Sequence, residues 1–410
     1  MSRSTVLLLL VTVACLLLAG CLRINVQGDP DTLLKRIASM QRLRVATYNT
    51  SLFDDATAGL IHRLERGDPK ARDIAAVLQR VRPDVVLLNE FDYDDGHRAA
   101  DLFQRDYLEV AQPGGGAALL YPFRYLAPVN TGVPSGLDLD HDGKVGGSGR
   151  ARGNDAWGYG LHPGQYGMLL LSKYPIDMDG VRSFQLLRWS AMPGARRPVD
   201  PATGKPWYPD AVWNKLRLSS KSHWDVPVMT PLGELHVLAS HPTPPVFDGP
   251  EDRNGARNFD ELRLWKEYLD NTDAGWLCDD AGRCGGLAPD ARFVIAGDLN
   301  ADPFDGDGVP GAIGQLLRHP RVAPVPAPRS RGAVALAARH GLPRKGDTAE
   351  HTGDFGPKSG TLRLDYLLPS RGLKVTDSAV LWPAPGELVP DPSKASDHRL
   401  VWADLALDLD

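Results

Sequence analysis

Five residues of this chain, Asn49, Glu90, His241, Asp298 and Asn300, stand at or just past the ends of short apolar runs. Asp365 lies inside another such run, and the pair Asp397-His398 stands just before the last one. One polar ending is unremarkable, but several together make a constellation with a common chemical use. A hard divalent cation such as Mg²⁺ or Mn²⁺ takes oxygen ligands, and because it keeps several waters, one or two carboxylates and an amide are enough to hold it. Glu90 and Asn49 could supply them. A water that attacks phosphorus must lose a proton near neutral pH, which suits a histidine held in one tautomer by a carboxylate. His398 with Asp365 or Asp397 meets that need. Charge growing on phosphate oxygens calls for fixed donors, and His241 and Asn300 are of the right type. The chemistry these residues share is phosphoester hydrolysis. Taken alone, Asp298 in Gly-Asp-Leu-Asn could simply cap a turn, since Asp and Asn bond their own backbone, and His241 before proline could be an ordinary loop histidine. Their joint occurrence favours a site.

The elements that must carry these residues can be read from periodicity. A strand runs over Leu43–Asn49, with partial alternation of apolar and polar positions. A helix follows, with Asp68 as its N-cap, Pro69 at its first position, and Ile74, Val77, Leu78 and Val81 at helical spacing until Pro83 stops it. The next run, Asp84–Glu90, is apolar and bounded by proline, the signature of a buried strand. Further buried strands are expected at Met168–Ser172, Leu235–Ser240 and Phe293–Gly297, the last preceded by a helix at about 258–270. Strands at Leu362–Leu368 and Leu400–Leu405 close the chain. A strand that ends on a carboxylate or amide presents it at the rim of a sheet, where α/β enzymes assemble their sites. Long Gly/Pro-rich insertions fall at about 111–165, 190–225 and 301–360; such loops inside a domain are usually functional or poorly ordered. There is no internal repeat and no linker that divides residues 42–410 into two domains.

The motifs Ala46-Thr-Tyr-Asn49, Pro83-Asp-Val-Val-Leu-Leu-Asn-Glu90, Ser240-His241-Pro, Gly297-Asp-Leu-Asn300-Ala-Asp-Pro, Arg363-Leu-Asp365-Tyr and Ser396-Asp397-His398 occur in that order. Through them the chain resembles the deoxyribonuclease I-like endonuclease/exonuclease/phosphatase superfamily. The resemblance implies an α/β (α+β) fold, a four-layer sandwich of two packed mixed β-sheets flanked by helices. It implies that Asn49 and Glu90 bind the catalytic metal with Asp397 close by. It also implies that His398 is the general base oriented by Asp365, that Asp298 positions or activates the water, and that Asn300 and His241 contact phosphate. Arg253, Arg257 and Asn258 suit phosphate recognition, because Arg binds phosphate bidentately; an exposed, solvated helix start is the plainer alternative.

The ends and loops suggest a compartment. Arg3, an apolar run from Val6 to Leu18, and Leu18-Ala19-Gly20-Cys21 read as an export signal (residues 1–20) with a lipobox. Cys21 would then be lipidated, and residues 21–41 would form a tether. The protein would sit on the cell envelope, at a periplasmic or extracellular face. Cys278 and Cys284, six apart in a loop-like stretch, are expected to form a disulfide. Asp138-Leu-Asp140-His-Asp142-Gly143 has the spacing of a Ca²⁺ loop, but its twelfth position is Gly149 rather than a bidentate Glu. The net charge of −5 argues against a protein that coats long nucleic acid, since such proteins usually carry a basic face. The expected partners are a phosphoester substrate and, through the anchor, a membrane, with the chain a monomer. Phosphatase or phosphodiesterase action leads, a secreted nuclease acting on DNA or RNA is the alternative, and a non-catalytic binding scaffold is the least favoured reading.

Overall fold

The strands and helices fall largely where the hydrophobic pattern sets them. The computed structural model describes residues 41–270, 274–388 and 391–408; the export signal, the Cys21 anchor and the tether up to residue 40 lie outside the described residues. One sheet has six strands in the order β12-β13-β1-β2-β4-β3, and another has five in the order β11-β8-β7-β6-β5. The ranges in the first are β1 Leu43–Leu52, β2 Val85–Phe91, β3 Phe123–Tyr125, β4 Met168–Ser172, β12 Leu373–Val380 and β13 Val401–Leu407. Those in the second are β5 Arg182–Ser183, β6 His223–Thr230, β7 Gly233–Ser240, β8 Phe293–Asp298 and β11 Asp365–Pro369. Each sheet contains one parallel pair, β1 with β2 and β7 with β8, and is otherwise antiparallel.

Each parallel pair is joined by a helix, as a parallel crossover requires. Helix α1 (Pro69–Val81) links β1 to β2, and α2 (Arg253–Asp270) links β7 to β8. Asp68 caps α1 by accepting the Ala71 amide at 3.1 Å, as its position before Pro69 predicts.

Alternate side chains of each strand enter different cores. Val45, Val85, Leu87 and Leu170 meet Trp224, Val226, Val237, Val294 and Ala296 between the two sheets. Ala46, Tyr48, Val86, Leu88 and Leu169 face the other way, onto Ile74, Val77 and Leu78 of α1. Leu238, Phe293 and Ile295 face Leu262, Trp265 and Tyr268 of α2. The order is therefore helix, sheet, sheet, helix. It explains why β2 is apolar at consecutive positions, since both its faces are buried.

Three expectations change. The single strand at Leu362–Leu368 is two: β10 (Thr361–Leu362) pairs with β9 (Gly353–Asp354) as a separate ribbon, while β11 joins β8. The break occurs where the Thr352 hydroxyl oxygen accepts the amides of Leu364 and Asp365, each at 3.0 Å. Helix α2 begins at Arg253 instead of near 258, with Asp248 accepting the Asn254 amide at 2.6 Å. The insertion at 301–360 contains a helix, α3 (Arg331–His340), capped by Ser330. Strands β6 and β12 escaped the periodicity. Asp225 and Pro227 break up the apolar run of β6, and β12 is largely solvent-facing.

Candidate active site

The sandwich brings the polar strand ends to one rim. Asn49 and Glu90 lie toward the C-terminal ends of parallel β1 and β2, and His241 and Asp298 at or just past those of parallel β7 and β8. Antiparallel neighbours begin where parallel strands finish. Hence Asp365, the first residue of β11, pairs with Asp298, and His398 precedes β13 at the same edge. Two residues at this rim, Glu90 (φ 55°) and Asn300 (φ 50°), adopt the left-handed region that L-residues seldom occupy. Such conformations persist only where the surroundings enforce them, and they cluster at functional sites.

Asp298 Oδ2 is the centre of the arrangement. It accepts the Asn49 amide at 2.9 Å and lies 3.4 Å from His241 Nε2 and 3.5 Å from His398 Nε2. The same Asn49 nitrogen donates to Glu90 Oε1 at 3.0 Å. His398 Nδ1 bonds Asp365 Oδ2 at 2.8 Å, and Thr352 donates to that oxygen at 2.6 Å. Asp298, Asp365, His241 and His398 are all at most 4% exposed. Asn300 bonds inward: its backbone N–H donates to Asp298 Oδ1 at 3.0 Å and its side-chain amide to the Pro242 carbonyl at 3.1 Å. Asp397 is exposed, and its Oδ1 lies 3.3 Å from the Ser396 hydroxyl oxygen.

Burial and charge set the protonation states. Burial would raise the Asp298 carboxyl, but His398, His241 and the Asn49 amide hold it well below the ordinary carboxylate range. Burial opposes charge on His398, yet the Asp365 and Asp298 carboxylates more than offset it, so the imidazolium is favoured well above its usual value. Asp365, where burial outweighs His398, is raised to about 6. His241 is pushed down by burial and by Lys221, and its Nδ1 has no partner among the described residues.

Two groups of residues at the rim could take a cation. Asp298, Asp365 and His398 offer atoms within 4.8 Å of one another. The His398–Asp365 bond, however, already ties up an atom of each, so this trio is better suited to moving protons. Glu90 and Asn49 are the better fit, Asn49 once its amide turns, since its Oδ1 here accepts the Ser51 amide at 3.1 Å. Two carboxylates, Glu90 and Asp298, crowd a single amide nitrogen, and no ion pair reaches Glu90 among the described residues. That excess of oxygen ligands and negative charge matches a hard divalent ion.

Several residues that hold this rim together were not singled out by sequence. Asn89 accepts the Asp298 amide at 3.0 Å and donates to the Ser240 carbonyl at 3.4 Å, bridging the two sheets. An amide within an otherwise apolar strand was the available signal. Ser396 donates to the Asn49 carbonyl at 2.7 Å and accepts the His398 amide at 3.1 Å, tying β1 to the histidine.

The residues expected to contact phosphate from α2 are used differently. Arg257 donates to four main-chain carbonyls, those of Trp157, Arg217, Leu218 and Ser219, at 2.6–3.1 Å. The Asn258 amide donates to the carbonyls of Thr243 and Leu299 at 2.9 and 3.1 Å. Arg253 pairs with Glu251 and lies over the Trp207 ring. The first two brace the loops behind the rim, from within a helix that already runs through 253–258.

Away from the rim, Cys278 and Cys284 form a disulfide. In the acidic loop, Asp138 and Asp140 are joined by Asp155, not by Asp142, with ligand atoms within 4.8 Å of one another. Asp142 instead accepts the Lys144 amide at 2.8 Å.

The sequence profile of the endonuclease/exonuclease/phosphatase family matches residues 46–398. Among solved structures, the chain is similar to an endonuclease/exonuclease/phosphatase from Beutenbergia cavernae DSM 12333, with 21% identity, a TM-score of 0.48, and coverage of 89% of this chain and 72% of that one. It is also similar to sphingomyelinase C from Streptomyces griseocarneus, with 19% identity, a TM-score of 0.44, and coverage of 89% and 99%. A third is an endonuclease/exonuclease/phosphatase family protein from Leptotrichia buccalis C-1013-b, with 12% identity, a TM-score of 0.44, and coverage of 90% and 100%. No curated protein sequence matches the chain.

Proposed function

This chain belongs to the endonuclease/exonuclease/phosphatase family and is a phosphoester hydrolase, and from that premise we propose that it is a divalent-metal-dependent phosphatase or phosphodiesterase of the cell envelope. The observation that carries the reading is Asp298 Oδ2, one buried anionic oxygen shared by Asn49, His241 and His398.

Asn49 and Glu90 would hold the cation, with exposed Asp397 near enough to assist. When bound, it would polarise the phosphoryl group and neutralise charge on it. Asp298, kept anionic, orients the attacking water by accepting a hydrogen bond from it as it adds to phosphorus. His398, kept charged by Asp365 and Asp298, donates to a phosphate oxygen. This reverses the simplest expectation for His398, that of a base, because two flanking carboxylates favour its protonated form. His241, held largely neutral, offers a second hydrogen bond to phosphate. Thr352 and Ser396 fix Asp365 and His398 so that neither must be ordered during the reaction.

The test is hydrolysis of p-nitrophenyl phosphate, bis-p-nitrophenyl phosphate, inositol hexakisphosphate and plasmid DNA with Mg²⁺, Mn²⁺ or Ca²⁺, beside Glu90→Ala and His398→Ala. Metal-dependent turnover lost in both variants supports the mechanism, and the preferred substrate separates phosphatase, diesterase and nuclease. A folded protein inert on all of them refutes the reading. The envelope placement rests on the Leu18–Cys21 lipobox alone; Cys21→Ser that still partitions with membranes would overturn it.

A further inference from the structure

Lys221 is 6% exposed and lies two residues before β6. Its position is dictated by backbone packing. The Asn130 amide donates to the Lys221 carbonyl at 2.9 Å, and the Ser220 amide donates to Glu261 Oε1 at 2.7 Å. A Cβ added at Gly158 would fall 1.8 Å from the Ser220 carbonyl oxygen, so only glycine allows the two segments to pass this closely. In the β6–β7 ladder His223 pairs with Ser240. Two residues before that pair, Lys221 comes close enough to His241, the residue after Ser240, for the two charges to influence each other.

The Lys221 ammonium has no hydrogen bond or ion pair among the described residues, although it is buried among charges. The carboxylates of Glu261, Glu90 and Asp298 lie within its electrostatic reach, as it lies within that of His241. Glu261 is an incomplete partner, because its two oxygens already accept the amides of Ser220 and Thr243 at 2.7 and 2.6 Å. Burial lowers the lysine's pKa and the three carboxylates oppose that shift. Lysine is almost never buried without a partner, and a buried cation left unpaired is costly.

Resting on the phosphohydrolase reading above, we propose that Lys221 is a substrate-contacting residue whose ammonium takes a non-bridging oxygen of the scissile phosphoryl group, and that it tilts the site toward terminal phosphomonoesters. A monoester phosphate is a dianion near neutral pH and a diester a monoanion, so one fixed buried cation interacts more strongly with the former. The residue is distinct from the Asn49–Glu90 pair.

The experiment compares wild type with Lys221→Gln, Lys221→Met and Lys221→Arg in Mg²⁺. It follows kcat/KM on p-nitrophenyl phosphate and bis-p-nitrophenyl phosphate, binding of inorganic phosphate by equilibrium dialysis, and melting temperature. A charge-assisted hydrogen bond corresponds to about ten- to a hundredfold. Lys221→Gln and Lys221→Met are expected to lose about that factor on the monoester, to lose less on the diester, and to bind inorganic phosphate correspondingly less. Lys221→Arg recovers part of both, and the melting temperature stays level or rises. Wild-type phosphate binding and turnover in Lys221→Gln overturns the inference while leaving the phosphohydrolase reading intact. Equal losses in all three variants with a lowered melting temperature overturn it too, since they mark Lys221 as packing around Glu261. If wild type hydrolyses neither these esters nor inositol hexakisphosphate nor plasmid DNA, the phosphohydrolase reading fails, and phosphate binding in wild type against Lys221→Gln still decides the role of Lys221.

Discussion

Replacing Asp365 with Asn tests the proton-handling half of the site without disturbing its shape. Asn is isosteric, and its carbonyl oxygen can still accept the Thr352 hydroxyl, now 2.6 Å from Asp365 Oδ2. What disappears is the negative charge behind the 2.8 Å bond to His398 Nδ1. A hydrogen bond to a charged group contributes about 1.5–3 kcal/mol. If that stabilisation is used in the transition state, kcat falls by about ten- to a hundredfold, at roughly 1.4 kcal/mol per decade. The pH profile then assigns the role. Asp365 raises the His398 pKa, so removing its charge lowers it. If charged His398 is the form that works, activity is lost as pH rises through that pKa, and the alkaline limb of kcat moves to lower pH in Asp365→Asn. If His398 works as a base, the acidic limb moves to lower pH instead. The assay is kcat on p-nitrophenyl phosphate from pH 5 to 10 at saturating Mg²⁺. A variant within twofold of wild type, with both limbs unmoved, refutes the claim that Asp365 acts through His398.

Three further outcomes are expected. Burial lowers His223 to about 4 from 6.5, so the unfolded chain takes up this proton first. The stability it contributes is full above pH 6.5 and is lost as pH falls toward 4, by about 3 kcal/mol at 1.36 kcal/mol per unit. Urea unfolding of wild type and His223→Gln should therefore show a difference that shrinks by about that much between pH 7 and pH 4, and a constant difference argues against it. Arg257→Lys should cost about 2–4 kcal/mol by stranding main-chain carbonyls while leaving KM for p-nitrophenyl phosphate within twofold; a large KM change at unaltered stability would restore Arg257 as a phosphate ligand. If the acidic loop takes Ca²⁺ through Asp138, Asp140 and Asp155, calcium should raise the melting temperature of wild type by several degrees and leave Asp140→Ala unmoved, whereas equal shifts in both would remove the loop as the cause.

The individual strands and their polar endings were legible because their signals are local. Asp68-Pro69 caps and starts α1 whatever surrounds it, and the apolar run before Glu90 demands burial on both faces. The ordered motifs from Asn49 to His398 were likewise readable one at a time, as residue types at strand ends. Three things depended on the third dimension. Arg257 and Asn258 carry the same side chains whether they face phosphate or brace loops, and only the packing of α2 against the neighbouring loops turned them to main-chain carbonyls. Asp155 lies outside any calcium-loop spacing and reaches Asp138 and Asp140 only because the chain folds back. Lys221 sits in an unremarkable Ser-Ser-Lys-Ser stretch with no periodicity to mark it. It becomes a buried cation at the rim because β6 pairs with β7 and Gly158 lets two backbones pass. Periodicity reports which face of an element is buried, because that follows from spacing along one chain segment. Which charges meet across the rim follows from the register between segments hundreds of residues apart, and that is decided only when the two sheets pack.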